Sequence, residues 1–310
     1  METILAFLPK HISNKISELP TPILNNMEEI RIRVNRPIEV TTRGKPYFLP
    51  YLVSEQDAEQ LINKLANFSF YTLEEELKKG YITISGGHRV GLAGKVILEN
   101  GSVKAIRNLA SFNIRIAREK IGAAEPYIPI LYKENRWVHT MIIGAPQTGK
   151  TTLLRDIARL ISSGNEKRKI PPFKVGIVDE RSEIAGCVRG IPQLEFGPRI
   201  DILDACPKAE GMMMLIRSMS PDVLIVDEIG REEDSIAIME AANAGITLIM
   251  TTHGNSYEDI KKRPILKQII ETHIFENFIE LSRAGGPGTI KKIRNANGKE
   301  SIYKAGVMSG

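Results

Sequence analysis

Residues 144–151, Gly-Ala-Pro-Gln-Thr-Gly-Lys-Thr, constrain this chain more than any other stretch. They match G-x-x-x-x-G-K-[ST], and their context is the one that gives the pattern meaning. The apolar run 137–143 (WVHTMII) reads as a strand ahead of it. Behind it, Leu153, Leu154, Ile157, Leu160 and Ile161 recur at helical spacing. Glycines in such a loop let successive backbone N–H groups turn onto phosphate oxygens, and the helix N-terminus adds partial positive charge. The expected nucleotide contacts are Gly144, Ala145, Pro146, Gln147, Thr148, Gly149, Lys150, Thr151 and Thr152. Lys150 is expected to reach the β- and γ-phosphates and the Thr151 hydroxyl to ligate Mg²⁺, so the implied ligands are ATP and Mg²⁺.

Four apolar runs, 138–144, 175–178, 223–226 and 246–250, alternate with helical segments. That pattern predicts a mainly parallel sheet covered by helices on both faces. Three of these strands end in polar residues, and strand C-termini line the ligand crevice of such sheets. The run 222–228 (DVLIVDE) ends in Asp227, placed to hold Mg²⁺ through water, and Glu228, placed to polarise an attacking water. The run 175–184 (VGIVDERSEI) brings Asp179, Glu180 and Glu183 to the same crevice if its strand neighbours the phosphate-loop strand. Glu180 and Glu228 are therefore both candidate bases, because a base is chosen by geometry first. For Arg181 and Glu183 the competing account is a surface ion pair. The run 246–253 (ITLIMTTH) ends in His253, placed to feel the γ-phosphate. Arg217 and Arg231 flank the carboxylate strand, placed either to touch phosphate across a subunit boundary or as plain surface charge; Arg231 joins the candidate catalytic set.

The texture before this region is different. Residues 28–40 (EEIRIRVNRPIEV) alternate, with Ile30, Ile32 and Val34 on one face, and read as a half-buried strand. Arg43-Gly44-Lys45 reads as a turn before a short strand at 47–49. Ser54 and Asp57 mark a helix start, with Leu61, Ile62 and Leu65 as its apolar face. Thr72 and Glu75 open a second short helix that Gly80 closes, and further strands follow at 81–84 and 91–98. The expected organisation is an α+β N-terminal domain over 1–120, a linker over 121–136 and an ATPase domain over 137–310. The tail 285–304, with Gly-Pro-Gly and Asn-Ala-Asn-Gly turns, reads as a closing β-hairpin. In the first domain, Arg89 and Arg107 are either ordinary surface charges or fingers on nucleotide held elsewhere.

Composition removes several alternatives. Hydrophobic residues are 42% and charged residues 25%, so a disordered chain is not expected. Cys187 and Cys206 are the two cysteines, too few for a disulfide scaffold and in keeping with a reducing cytosol. His11, His88, His139 and His273 have no partner at metal-ligand spacing, so Mg²⁺ is the one metal expected. No apolar run is long enough for a membrane span, and residues 1–16 lack the basic start of a signal peptide. The net charge of +5 allows nucleic-acid contact, but the basic cluster Lys261, Lys262, Arg263 and Lys267 has no interleaved aromatics.

The strand ends, in this order, resemble the secretion and type IV pilus ATPase superfamily, with its acidic box (179–183), Walker B strand (220–228) and His box (251–255). The stretch 28–49 is similar to the first strands of that superfamily's N-terminal domain. Closer still, VDERSEIAG, DILDACPKAEGMMMLIRSMSPDVLIVDEIGREED and the Gly-Pro-Gly tail look like the stage III sporulation AA family of endospore-forming bacteria. The resemblance implies a RecA-like P-loop domain and a cytoplasmic mother-cell ATPase, peripheral at the forespore membranes through protein partners. It also implies a homo-oligomer, a hexameric ring, serving the membrane proteins of a sporulation channel complex, with no nucleic acid. Two positions depart from the pilus motors: Gly230 stands where they place Arg, and Asp227 where they commonly place Gly. Their base and arginine assignments therefore do not carry over. Two other readings share the phosphate loop: a nucleic-acid-stimulated ATPase, and a nucleotide-binding switch with little turnover.

Overall fold

The computed structural model describes residues 1–66, 80–284, 286 and 288–300. The chain divides into two compact units, Met1–Arg118 with Gly186–Gln193, and Glu119–Ala185 with Leu194–Gly310.

In the first unit, helices α1 (Glu2–Phe7), α2 (Lys10–Ser17) and α3 (Thr21–Asn26) precede β1 (Met27–Arg33), β2 (Pro37–Thr42) and β3 (Lys45–Leu52). Helix α4 (Glu55–Ala66) and strands β4 (Tyr81–Ile84), β5 (His88–Glu99) and β6 (Ser102–Arg115) follow. The sheet runs β3-β2-β1-β6-β5-β4 with every neighbouring pair antiparallel. The single strand expected over 28–40 is in fact two. Asn35 takes a left-handed backbone, φ 59°, and Pro37 starts the return strand, which sets Ile30 opposite Val40. Both arms of a hairpin face one core, so the alternation runs on across the turn and hides it. Arg43 and Gly44, φ 49° and 71°, form the next two-residue turn, and β3 extends beyond the short strand expected there. Helix α4 opens with reciprocal bonds: Ser54 Oγ accepts from the Asp57 N–H at 3.1 Å, and Asp57 Oδ2 accepts from the Ser54 N–H at 2.9 Å. The helix expected between Thr72 and Gly80 lies outside the described residues.

In the second unit, the stretch expected as linker holds the short helix α5 (Ile128–Leu131) and a ribbon of β7 (Tyr132–Lys133) and β8 (Arg136–Trp137). Then come β9 (Thr140–Gly144), α6 (Lys150–Ser163), β10 (Val175–Asp179), β11 (Ile200–Asp204) and α7 (Lys208–Ser218). They are followed by β12 (Val223–Val226), α8 (Glu232–Asn243), β13 (Thr247–His253), α9 (Tyr257–Ile260), α10 (Pro264–Glu271), β14 (Asn277–Ser282) and β15 (Thr289–Asn295). The sheet order is β11-β10-β12-β13-β9-β14-β15, parallel from β11 to β14, with β15 antiparallel. Alternate residues of each central strand feed two cores. Ile142, Ile177, Ile225 and Ile249 pack with Leu153, Leu154, Ile157 and Ile161 of α6. Met141, Val178, Leu224 and Met250 pack with Met212 of α7, Ile238 of α8 and Ile269 of α10. Helices on both faces of a parallel sheet follow from strands apolar on both sides.

Three expectations change. Strand β10 neighbours β11 and β12, so β12 and β13 stand between it and the phosphate-loop strand β9. Strands β11 and β14 join the sheet although no apolar run marks them: β11 is a half-buried edge strand, and β14 carries the buried Glu280 within its apolar residues. The closing hairpin pairs β14 with β15 and so begins at Asn277, and the Asn-Ala-Asn-Gly turn ends β15. Residues 301–304 of the expected hairpin lie outside the described ones. Leu224, fully buried at the middle of the sheet, tests the packing. Leu224→Ala is expected to cost about 2–5 kcal/mol in denaturant unfolding of the second unit, with the denaturant slope unchanged.

Candidate functional site

The phosphate loop leaves β9 at Gly144, where a Cβ would stand 2.3 Å from Thr148 Oγ and 3.1 Å from the Lys150 stem. Only glycine fits there. Gly149, φ 89°, and Gln147, φ 61°, turn the loop back on itself, and Thr148 Oγ donates to the Ala145 carbonyl at 2.8 Å. Lys150 is buried at the first position of α6, and its ammonium donates to the carbonyls of Gly144 at 2.9 Å and Ala145 at 3.3 Å. A lysine held inside its own glycine-rich loop bonds carbonyls whose place phosphate oxygens could take. Thr152, in the same first turn, is half-buried.

The carboxylates follow from the strand order. Thr151 Oγ donates to Asp227 Oδ2 at 2.9 Å, across from the end of β12. Thr251, on the interposed strand β13, donates its hydroxyl to Asp227 Oδ1 and accepts the Glu228 N–H at 2.8 Å. Glu228 itself has φ 52°, a left-handed backbone that turns the chain directly after the strand. Its side chain pairs with Arg181 at 3.0 Å. His253 sits exposed at the end of β13, in register with Gly144. The Thr151–Asp227 pair is the donor set that suits a hard divalent cation, and these two residues would hold Mg²⁺.

Asp179 and Glu180, at the end of β10 beside β12, line one pocket with Asp227 and Glu228, although β10 does not neighbour β9. Glu180 bonds Lys208 at 2.6 Å and Arg231 at 3.4 Å, joining the start of α7 to the start of α8. Burial acts to raise its pKa, but the bond and charge of Lys208, with Arg231 and Arg181, hold it below the ordinary value. Asp179 is buried and accepts three backbone N–H bonds, from Glu183 at 2.8 Å and from Ile184 and Ala185 at 2.9 Å each. Its carboxylate organises the chain after β10, where a nucleotide contact was expected of it. The pocket at these strand ends is lined by Asp179, Glu180, Arg181, Glu183, Lys208, Asp227 and Glu228.

Two further groups had no sequence signal beyond their charge. Arg283, past β14, donates to the Pro146 carbonyl and to Gln147 Oε1 at 3.0 Å, while the Gly288 N–H donates to the Thr148 carbonyl at 2.7 Å. The last hairpin thus holds the phosphate loop from outside. Arg155 donates to the carbonyls of Ile184 and Glu183. Thr251 sat inside the quoted His-box run, but its link between two carboxylate residues needed the strand order. In the first unit, Arg89 lies over the Tyr81 ring at 3.3 Å, and buried His88 accepts the Ala117 N–H at 3.1 Å. Burial lowers the His88 pKa to about 4. In the basic cluster, Arg263 pairs with Asp259 at 3.1 Å and Lys267 with Glu271 at 3.7 Å.

The second unit's phosphate loop, its acidic strand ends and the strand interposed between them define a P-loop ATPase fold of the secretion and pilus type. Among solved structures, it resembles the Legionella pneumophila ATPase DotB, with a TM-score of 0.59 and 17% identity over 88% of this chain and 76% of that one. It also resembles the pilus retraction motor PilT with bound ADP, with a TM-score of 0.57 and 16% identity over 87% and 76%. The chain belongs to the stage III sporulation protein AA family: the family model "Sporulation stage III, protein AA" matches residues 1–301. Stage III sporulation protein AA of Bacillus subtilis is 58% identical over 309 residues, covering 100% of both chains. An uncharacterised ycf45 protein of Porphyra purpurea is 26% identical over 87% of this chain and 43% of that one. Among the described residues, no helix is long and apolar enough to cross a membrane.

The Asp179 carboxyl is raised from 3.8 to about 6, by burial first and by Asp204 in addition, against the pull of its backbone donors. Between those values the folded chain binds more protons at this group than the unfolded chain. Its contribution to stability is therefore gained as pH falls through about 6 and lost as pH rises through it. The stability difference between the wild type and Asp179→Asn is expected to shift toward the wild type from about pH 7 to about pH 5. Denaturant titrations of both proteins check this, and a pH-independent difference would refute it.

Proposed function

We propose that the chain is an oligomeric Mg²⁺-dependent ATPase that powers or assembles a secretion-like membrane channel during endospore formation. The observation that carries the hydrolytic part is the 2.9 Å bond between Thr151 and Asp227, with Lys150 and Glu228 on either side of it in the chain. The family membership supports the sporulation setting, and the secretion-ATPase fold supports a ring of subunits, a hexamer, acting on membrane partners from the cytoplasm. The two-unit organisation agrees with an N-terminal domain that works against the ATPase domain.

In this reading the N–H groups of residues 147–151 and the N-terminus of α6 bind the phosphates. Lys150 leaves the Gly144 and Ala145 carbonyls for phosphate oxygens. Thr151 and Asp227 would hold Mg²⁺, whose charge would offset that of the phosphates. Glu228 orients the attacking water and accepts its proton. It is favoured over Glu180 because it adjoins Asp227 directly, whereas Lys208 and Arg231 occupy both Glu180 oxygens. Arg181 must release Glu228 before that carboxylate can act. Arg231 serves through Glu180, and Arg283 steadies the loop. His253, beside Gly144, is placed to sense the γ-phosphate.

Lys150→Ala is expected to abolish ATP binding while the fold survives. Glu228→Gln is expected to cut turnover at least about 100-fold while ATP binding persists, and Glu180→Gln to cut it less. Phosphate release and nucleotide binding of the three variants check this. Undiminished hydrolysis in Lys150→Ala would sink the assignment, and a larger loss at Glu180 would reverse the choice of base. For a ring with shared sites, phosphate release per subunit is expected to rise with protein concentration.

A further inference from the structure

Two elements hold the same short run of backbone. Arg155 lies one turn beyond Thr151 on α6, and its Nε and Nη2 donate to the carbonyls of Ile184 at 2.5 Å and Glu183 at 2.8 Å. Asp179, at the end of β10, takes the N–H groups of residues 183, 184 and 185. The peptide groups at 183–185 are thus fixed from the phosphate-loop helix on one side and from the sheet on the other. Arg155 is half-buried; burial lowers its pKa, and the charges of Glu119, Asp179 and Asp227 act against that. Burying a guanidinium is costly, and its planar fork matches two adjacent carbonyls in a way that an apolar side chain cannot.

The chain crosses from one unit to the other at this point. Ala185 closes the second unit's stretch, Gly186–Gln193 belongs to the first unit, and the second unit resumes at Leu194. Within the first unit this arm closes on itself through reciprocal bonds between Val188 and Ile191, at 2.9 and 3.0 Å. It sits against the Gly86–Gly87 turn between β4 and β5. The Gly86 N–H donates to Gln193 Oε1 at 3.2 Å, and a Cβ on Gly186 would lie 2.9 Å from Gly87 Cα.

We propose that Arg155 is a positioning residue that passes the state of the phosphate loop to the first unit through the arm 186–193. The proposal rests on nucleotide binding at the phosphate loop. Phosphates arriving at the N-terminus of α6 bias the helix. Arg155 hands that bias to residues 183–184, and one peptide bond beyond Ala185 the arm begins. The coupling is carried by hydrogen bonds within each unit and by the chain itself.

The test is hydrogen exchange of the full chain with and without a non-hydrolysable ATP analogue and Mg²⁺. In the wild type, the analogue is expected to change exchange about tenfold or more at the phosphate loop, in the arm and in residues 80–92. In Arg155→Ala the analogue still binds, within about threefold, and the phosphate loop still responds, but the arm and residues 80–92 do not. Arg155→Lys, with one ammonium for two carbonyls, falls between and decides the matter if the alanine variant fails to fold. Gly186→Ala, strained at φ 57° and pressed on Gly87, is expected to remove the response of residues 80–92 from the far end while binding stays intact. A wild type that binds the analogue without an arm response overturns the proposal, as does an arm response that persists in a folded Arg155 variant. A wild type that binds no nucleotide overturns the functional reading as well, so the two failures are distinguishable.

Discussion

The Asp227 carboxylate is where the second unit's elements converge. One oxygen takes the Thr151 hydroxyl from the phosphate-loop helix, and the other takes the Thr251 hydroxyl from β13. Thr251 in turn accepts the N–H of Glu228, the residue after Asp227. Three separate strand-to-loop exits are thereby tied to one charged group. Charge-assisted bonds are the stronger kind, and each partner here is anchored on a buried parallel strand or on a helix with an apolar face. A shift in any one of them is felt by the others.

The order of strands gives this arrangement its shape. Because β13 lies between β9 and β12, a threonine hydroxyl stands between the phosphate loop and the acidic strand end. One strand further out, β10 ends in two carboxylates whose tasks differ. Asp179 folds its own loop through backbone N–H groups, and Glu180 ties together the starts of α7 and α8. Adjacent carboxylates thus differ by the partners their surroundings supply.

The phosphate loop's surroundings also reach far along the chain. The β14–β15 turn holds the loop through Arg283 and Gly288, well over a hundred residues away in sequence. Arg155 connects the helix behind the loop to the backbone that leads into the first unit's arm. Segments distant in sequence are thus bonded to the loop or to the helix behind it.

The sequence by itself determined the local features whose causes are local. The phosphate loop needs its glycines and lysine in one short run, and the apolar runs at β9, β10, β12 and β13 announce buried parallel strands. The reciprocal caps of Ser54 and Asp57 mark the start of α4. Periodicity failed where two structures share one pattern, as in the β1–β2 hairpin, whose arms face the same core. It also failed at β11, an edge strand only half-buried, and at β14, whose Glu280 interrupts the apolar run while pairing with Arg294. Only the tertiary structure decided which strands are neighbours. That choice set Glu228 against Arg181 and Glu180 against Lys208 and Arg231, bonded Asp179 to backbone, and brought Thr251, Arg283 and Arg155 to their partners. Strand order depends on how helices pack across both sheet faces, a balance of long-range burial that no short window of sequence contains.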